Sequence, residues 1–269
     1  MIRDKIKLCA YLDEAGEDPA SSCSTLRNHN INYAILRDAW TGNICQTSDN
    51  GHAKLRSLLL DHNISPIMIA STLGKVPVGD LIRIKDSDID SCLNICKYYQ
   101  CEYLRIYVGE SDQLKDNDNN IINDWISRVI ERSLSMGIKC AYEIYSKSSV
   151  FKAAEVAKIL SSHNNIKLIY DPAGLIIKYN FDPFIRHWSL LKNLIDIIDV
   201  RDLKIGKGFK VAGYGDSRID MTIKDAIESG YAGWFALEPS LGRKHGSATT
   251  KSETFAFAVE GLDKILAKL

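Results

Sequence analysis

An imbalance of charge is the first thing this sequence lacks. Its 269 residues hold 34 lysines and arginines against 34 aspartates and glutamates, so the formal net charge is zero. A general nucleic-acid binder carries a basic stripe, so no nucleic-acid partner is expected. No run of about 18 apolar residues occurs, so neither a membrane span nor a membrane partner is expected. The opening Met1-Ile2-Arg3-Asp4-Lys5 has no apolar core of a signal peptide. A CxxC pair is also missing. The seven cysteines (Cys9, Cys23, Cys45, Cys92, Cys96, Cys101 and Cys140) are odd in number and scattered, several of them in apolar runs. Reduced, buried thiols and a cytoplasmic location follow as the expectation. Cys92 and Cys96 are one helical turn apart with Cys101 nearby, but no neighbouring histidine supports a metal there. There is no P-loop, no low-complexity segment and no Pro/Ser linker, so residues 1–269 read as a single domain. Histidine is scarce, with six in the chain. His29, His52, His62, His163 and His187 fall on expected helices or helix ends, away from strand ends, and only His245 lies in a loop that could reach a substrate.

What is present is a unit that occurs eight times: a short apolar strand followed by an amphipathic helix. The strands are expected at 5–12, 32–36, 65–70, 103–107, 139–144, 167–170, 195–200 and 232–237. The helices are expected at 18–28, 48–63, 86–99, 119–136, 148–162, 181–193, 217–229 and 250–268. Strand–helix alternation implies parallel pairing with right-handed crossovers. Eight such units in this length suit an α/β fold of one kind, a single (β/α)8 TIM barrel with its active face at the C-terminal strand ends. An open dinucleotide-binding sheet would want G-x-G-x-x-G after the first strand, and Leu12-Asp13-Glu14-Ala15-Gly16 stands there instead. The loops after the third, fourth and seventh strands are long, as loops of the active face often are.

The last four strands end on acids: Glu143, Asp171, Asp199 and Glu238. By composition alone this would arise in roughly one case in a hundred, so the pattern is treated as a site. Carboxylates that close repel, at about 4 kcal/mol per pair at ~4 Å and an effective dielectric of ~20. The fold tolerates this if some are protonated or a cation sits among them. Oxygen-only ligation favours Mn²⁺ or Mg²⁺ over Zn²⁺. Arg37, Lys75, Arg105, Arg201 and Lys204 lie near the same mouth. Arg37 either pairs locally with Asp38 or balances site charge. Arg105, inside a buried strand, either forms a structural ion pair or grips a substrate phosphate. Lys75 is either a solvated loop residue or a substrate contact. Tyr11, Trp40, Tyr107, Tyr142, Tyr145 and Trp234 are candidates for an apolar wall against sugar C–H faces, with Trp234 more at home in the core.

At these residues the chain resembles the xylose isomerase-like barrels, the broad family of sugar isomerases and epimerases that also contains endonuclease IV. The likeness runs through Tyr11-Leu12-Asp13-Glu14-Ala15-Gly16, Leu36-Arg37-Asp38-Ala39-Trp40, Ser71-Thr72-Leu73-Gly74-Lys75, Tyr170-Asp171-Pro172-Ala173-Gly174, Asp199-Val200-Arg201-Asp202, Gly213-Tyr214-Gly215-Asp216 and Leu237-Glu238-Pro239-Ser240. The resemblance implies a divalent metal held by Glu143, Asp171, Asp199 and Glu238, with Glu143 and Glu238 as acid and base. It implies isomerisation or epimerisation of a small ketose, aldose or polyol derivative, with Arg37, Lys75, Arg105, Arg201, Tyr11, Tyr142 and His245 as substrate contacts. Many such barrels associate, so a homo-oligomer is left open. The chain departs from the family at four places: Asp199 and Arg201 stand for the His and Lys of an H-x-K-D motif, Tyr142 and Ser240 stand where histidines are common, and Ile35 stands for an acid common shortly before the second-strand arginine. Two other readings remain beside the enzyme: a carbohydrate-binding barrel without turnover, and an endonuclease IV-like nuclease acting at abasic sites. The last would need a histidine-rich mouth for several zinc ions.

Overall fold

A computed structural model of the chain describes residues 2–40, 42–163, 165–179, 181–242 and 245–269. Its eight parallel strands close into a barrel in chain order. They are β1 (Lys7–Tyr11), β2 (Tyr33–Leu36), β3 (Ser65–Ile69), β4 (Tyr103–Ile106), β5 (Lys139–Glu143), β6 (Ile166–Tyr170), β7 (Ile195–Val200) and β8 (Trp234–Leu237). The ring closes between β1 and β8, with Lys7 opposite Trp234 and Ala10 opposite Leu237. β7 has its expected bounds, and the other seven differ from expectation by one or two residues at an end. The early start expected for β1 fails because Ile2–Lys5 winds into a 3-10 turn.

The outer layer holds α1 (Pro19–Asn28), α2 (Asp49–Asp61), α3 (Asp86–Tyr99), α4 (Asp118–Ser135), α5 (Ala153–Ser162), α6 (Pro172–Tyr179), α7 (Ile219–Glu228) and α8 (Lys251–Leu266). Local sequence sets their starts. Asp18 accepts from the N–H groups of Ala20 and Ser21, while Ser21 Oγ accepts from the Asp18 N–H, and Pro19 fits the first turn. Thr250 and Glu253 make the same reciprocal cap for α8. Three expectations need correction. The helix expected from 148 begins only at Ala153, because Ser148 Oγ is taken by the Tyr145 N–H in a turn. The helix expected over 181–193 is a run from Phe184 to Leu194 that passes from π through α to 3-10 geometry. Residues 171–180 are expected as a loop between the sixth strand and the helix at 181–193, yet α6 forms there. Asp171 caps it through the Gly174 N–H at 3.0 Å, and Pro172 again takes the first turn. No described helix is long and apolar enough to cross a membrane.

The barrel's pleat decides which side chains reach its axis. Successive residues face opposite sides of a strand. Cys9, Tyr11, Ile35, Met68, Tyr103, Ala141, Ile169, Ile197, Trp234 and Ala236 fill the interior. Their neighbours, such as Leu8, Leu104, Cys140, Tyr142, Tyr170, Ile198 and Phe235, join the larger apolar layer shared with the helices. All seven cysteines are free and six are buried, with Cys45 half-buried and its sulfur 3.3 Å from that of Cys92.

The long loop after β7 is ordered by one side chain. Buried Asp202 accepts from the backbone N–H groups of Leu203 (2.9 Å), Gly213 (2.9 Å), Gly215 (2.7 Å) and Ser217 (3.1 Å). A Cβ on Gly215 would collide with the same carboxylate, so only glycine lets that N–H approach. The loop then folds into an antiparallel ribbon, Asp202–Lys204 against Gly208–Lys210. Replacing Asp202 with Ala orphans the backbone donors of Gly213, Gly215 and Ser217 and leaves the Leu203 N–H with Ser217 Oγ alone. It should lower the unfolding free energy by about 3 kcal/mol in a urea titration; a loss below about 0.5 kcal/mol would mean the loop is held otherwise.

Candidate active site

Glu143, Asp171, Asp199 and Glu238 each stand two residues beyond an inward-facing apolar residue, at Ala141, Ile169, Ile197 and Ala236. The pleat therefore points all four at the mouth of the barrel. The same parity brings Arg37 up from Ile35 and Arg105 up from Tyr103. A cavity of about 260 Å³ opens here, lined by Arg37, Lys75, Arg105, Tyr107, Glu143, Tyr145, Asp171, Arg201 and Glu238 among others. That is close to the lower end of ligand cavities, ~300 Å³, and suits a small polar molecule. A cleft of about 760 Å³ between α2 and α3 is wider, but its wall of His52, Asp90, Tyr98 and neighbours gathers no comparable set of opposed charges.

The carboxylates do not face one another bare. Arg105 Nη1 donates to Glu143 Oε2 at 2.8 Å, and the Tyr107 hydroxyl donates to the same oxygen at 3.2 Å. Arg201 Nη1 donates to Asp171 Oδ2 at 2.9 Å and lies 3.6 Å from Glu238 Oε2. Arg37 Nη1 donates to Glu238 Oε1 at 2.5 Å. Arg37 also bonds Asp13 and Glu14, at 2.5 and 2.8 Å from Nη2, with Asp38 farther off at 3.8 Å. The local Arg37–Asp38 pair is thus the weakest of its contacts. Asp171 is held from both sides, since its other oxygen caps α6, and Gly174 is required there because a Cβ would lie 2.6 Å from Asp171 Oδ2.

Burial sets the protonation states. Asp171 is pushed up to about 6 by burial, with Arg201 opposing and Glu238 and Glu143 adding to the rise. Asp199 is fully buried, and both of its side-chain oxygens lack a hydrogen-bond partner. Burial, and then repulsion from Glu238, Asp171 and Glu143, hold its carboxyl well above the usual range and favour its neutral form. Burial alone would raise Glu238 too, but Arg201, Arg37 and Arg105 together hold it below its ordinary value. Burial lowers Lys75. The Lys75 ammonium lies over the rings of Tyr145 and Tyr107, at 4.6 and 5.1 Å, with no ion pair among the described residues.

The four acids converge as expected, but the ion expected among them does not fit the arrangement. An oxygen-liganded dication needs several oxygens about 2.1 Å from one point. Among the described residues no three His, Cys, Asp or Glu side chains are grouped to hold a metal ion. The Arg201 guanidinium stands where an ion bridging Asp171 and Glu238 would have to sit.

Of the expected substrate contacts, Arg37, Lys75, Arg105 and Arg201 line the cavity. Tyr11 lies beneath it, with Arg37 4.8 Å above its ring. Tyr142 is misplaced by the sequence reading: it precedes the inward Glu143, so it faces the helix layer, where its hydroxyl donates to the Val150 carbonyl. His245 packs beside Phe257 at 5.9 Å, outside the cavity lining. Lys204 is tied to Asp216 at 2.5 Å. Trp40 is exposed, and Trp234 joins the barrel interior as anticipated. Asp13 and Glu14 enter the sequence reading only as parts of a motif, with no role in the site, and Phe209 goes unnoticed. The first two carry a signal, since a pair of acids follows the first strand. Phe209 reaches the face of Arg201, 4.5 Å away, only through the ribbon.

No family model and no curated protein matches the sequence. Solved structures do match the fold. The IolI protein with a bound zinc atom superposes with a TM-score of 0.75 at 16% identity, over 98% of this chain and 99% of that one. D-psicose 3-epimerase with D-tagatose from Clostridium cellulolyticum H10 gives 0.70 at 12%, over 97% and 99%. D-allulose 3-epimerase from Methylomonas sp. with D-allulose gives 0.75 at 10%, over 98% and 97%. The fold is that of the xylose isomerase-like (β/α)8 barrels.

Asp199 yields a test by pH. Its folded-state pKa lies above its unfolded value, so the contribution of Asp199 to stability is fullest below the unfolded pKa, about 4. It falls as pH rises toward the folded pKa, by about 1.4 kcal/mol per pH unit. Asp199→Asn mimics the neutral acid and escapes this loss. Its melting temperature relative to wild type should climb as pH rises above about 4. A wild type that gains on the variant as pH rises would show Asp199 ionised and paired.

Proposed function

We propose that this barrel is a sugar isomerase or epimerase that moves a proton on a small ketose, aldose or polyol-derived carbonyl compound. One observation carries the reading: Glu143 and Glu238, on strands three apart in the ring, line the same small cavity with guanidinium groups between them. Glu143 has one oxygen bonded by Arg105 and Tyr107, and its other oxygen has no partner among the described residues. The Glu238 carboxyl is held below its ordinary value, and its Oε2 accepts no hydrogen bond, with Arg201 Nη1 3.6 Å away. A base must come within ~3 Å of the proton it takes, and acids on opposite sides of a bound sugar meet that need on either face. One glutamate removes the proton alpha to the carbonyl and the other returns a proton. The enediolate oxygen that builds up meets Arg105, Arg201 and Lys75, donors already oriented before the reaction. The sugar ligands of the two epimerase structures, D-tagatose and D-allulose, support a substrate of this size. The nuclease reading loses support, because histidines are missing from the cavity wall and the chain has no net positive charge.

A second reading, a sugar-binding barrel without turnover, is favoured by the arginine bound to each of these glutamates, which weakens a carboxylate as a base. Proton exchange separates the two. In D₂O the wild type should wash deuterium into D-allulose or D-tagatose beside the carbonyl, followed by NMR. Glu143→Gln and Glu238→Gln should each slow exchange by about 10²–10⁴-fold. Saturable sugar binding with no exchange in the wild type would establish the binding barrel instead, and unchanged exchange in both variants would remove these residues from the chemistry.

A further inference from the structure

We infer that the Arg201 guanidinium takes the place of a divalent cation in this barrel, so that the mouth is neutralised by the protein's own side chains and takes up no metal. The inference goes beyond the proposed reaction and holds whether or not the barrel turns over a sugar.

The pairing is the first ground. Glu143 is neutralised by Arg105, Asp171 by Arg201 and Glu238 by Arg37. Arg201 Nη1 also lies 3.6 Å from Glu238 Oε2, so one nitrogen bridges the two acids at the ends of β6 and β8. A dication drawn to those oxygens would meet this nitrogen, a like charge, at contact distance.

The second ground is that the guanidinium is anchored. Phe209 lies under its face at 4.5 Å, and the ribbon that carries Phe209 is fixed by the four backbone N–H groups that converge on Asp202. Swinging Arg201 away would give up the ring contact and both acids at once. The third ground is what remains for an ion. Asp199 keeps two oxygens without a hydrogen bond and Glu238 keeps one, which already faces Arg201 Nη1 at 3.6 Å. Those two residues fall short of the several ligands that a hard dication takes.

Manganese is the probe, because free and bound Mn²⁺ differ in their electron paramagnetic resonance. The full chain, stripped with EDTA and dialysed, should bind less than about 0.1 equivalent of Mn²⁺, and its melting temperature should not move with about 1 mM MnCl₂ or EDTA. Arg201→Met removes the charge and keeps bulk. It should take up about one equivalent of Mn²⁺ and lose it again when Asp171→Asn is added. If the Met variant does not fold, Arg201→Gln is read in its place. Wild-type protein that binds about one equivalent of Mn²⁺ or Zn²⁺, and loses it on Asp171→Asn, overturns the inference. So does a folded Arg201 variant that still takes up no ion. None of these readings uses activity, so a failure here is separate from a failure of the isomerase proposal.

Discussion

Opposite charges packed into the barrel mouth govern the rest of this structure. Four buried strand-end acids and three guanidinium groups share one small space, and each pairing limits the next. Isolated, a buried carboxylate or guanidinium costs several kcal/mol. Together they are tolerable because Glu143, Asp171 and Glu238 each have a guanidinium in reach, while burial disfavours the charged form of Asp199, which has no ion pair among the described residues. The network also reaches outward. Arg37 draws in Asp13 and Glu14 from the loop after β1, and Arg201 draws in the ribbon after β7. Loops far apart in sequence are therefore positioned by charges that the strands deliver.

Strand number, closure and the convergence of the acids are legible in the sequence because they rest on short-range rules. Apolar runs of four to six residues alternating with amphipathic helices leave few topologies. The period-two pleat then assigns side chains to faces. The same rule exposes the misreading of Tyr142. Glu143 cannot face the axis unless its neighbour faces away, and treating both as site residues breaks the alternation. Asp171 and Pro172 likewise signal a helix start, masked by Gly174, whose low helix propensity is outweighed by the close approach it allows to the Asp171 carboxylate.

The partners of the acids are less legible. Whether Asp171 meets a metal or an arginine depends on where a flexible five-donor side chain comes to rest. That is settled by Phe209 and by the loop geometry around Asp202, neither of which is spelled by spacing. Arg201 follows Asp199 by two residues, and the pleat alone would bring it to the mouth. Its bridging position needs the ribbon as well. Of the places where the family resemblance leads one to look for histidine, one holds the buried acid Asp199, while Tyr142 turns to the helix layer and Ser240 brings no charge.

Arg105 shows how closely such a mouth can be welded to its frame. The ladder between β3 and β4 is short, with only Met68 opposite Tyr103 and Ile69 opposite Leu104 in register. Just beyond it, Arg105 Nη2 and Nε donate to the carbonyls of Ala70 and Ser71, while Ser71 Oγ donates back to the Arg105 carbonyl. The side chain that steadies Glu143 thus also sutures the thinnest seam of the cylinder. Lysine, with a single nitrogen, could not serve all three acceptors, so drift at this position would open the wall before it retuned the chemistry. Scaffold and reactivity descend together through one guanidinium.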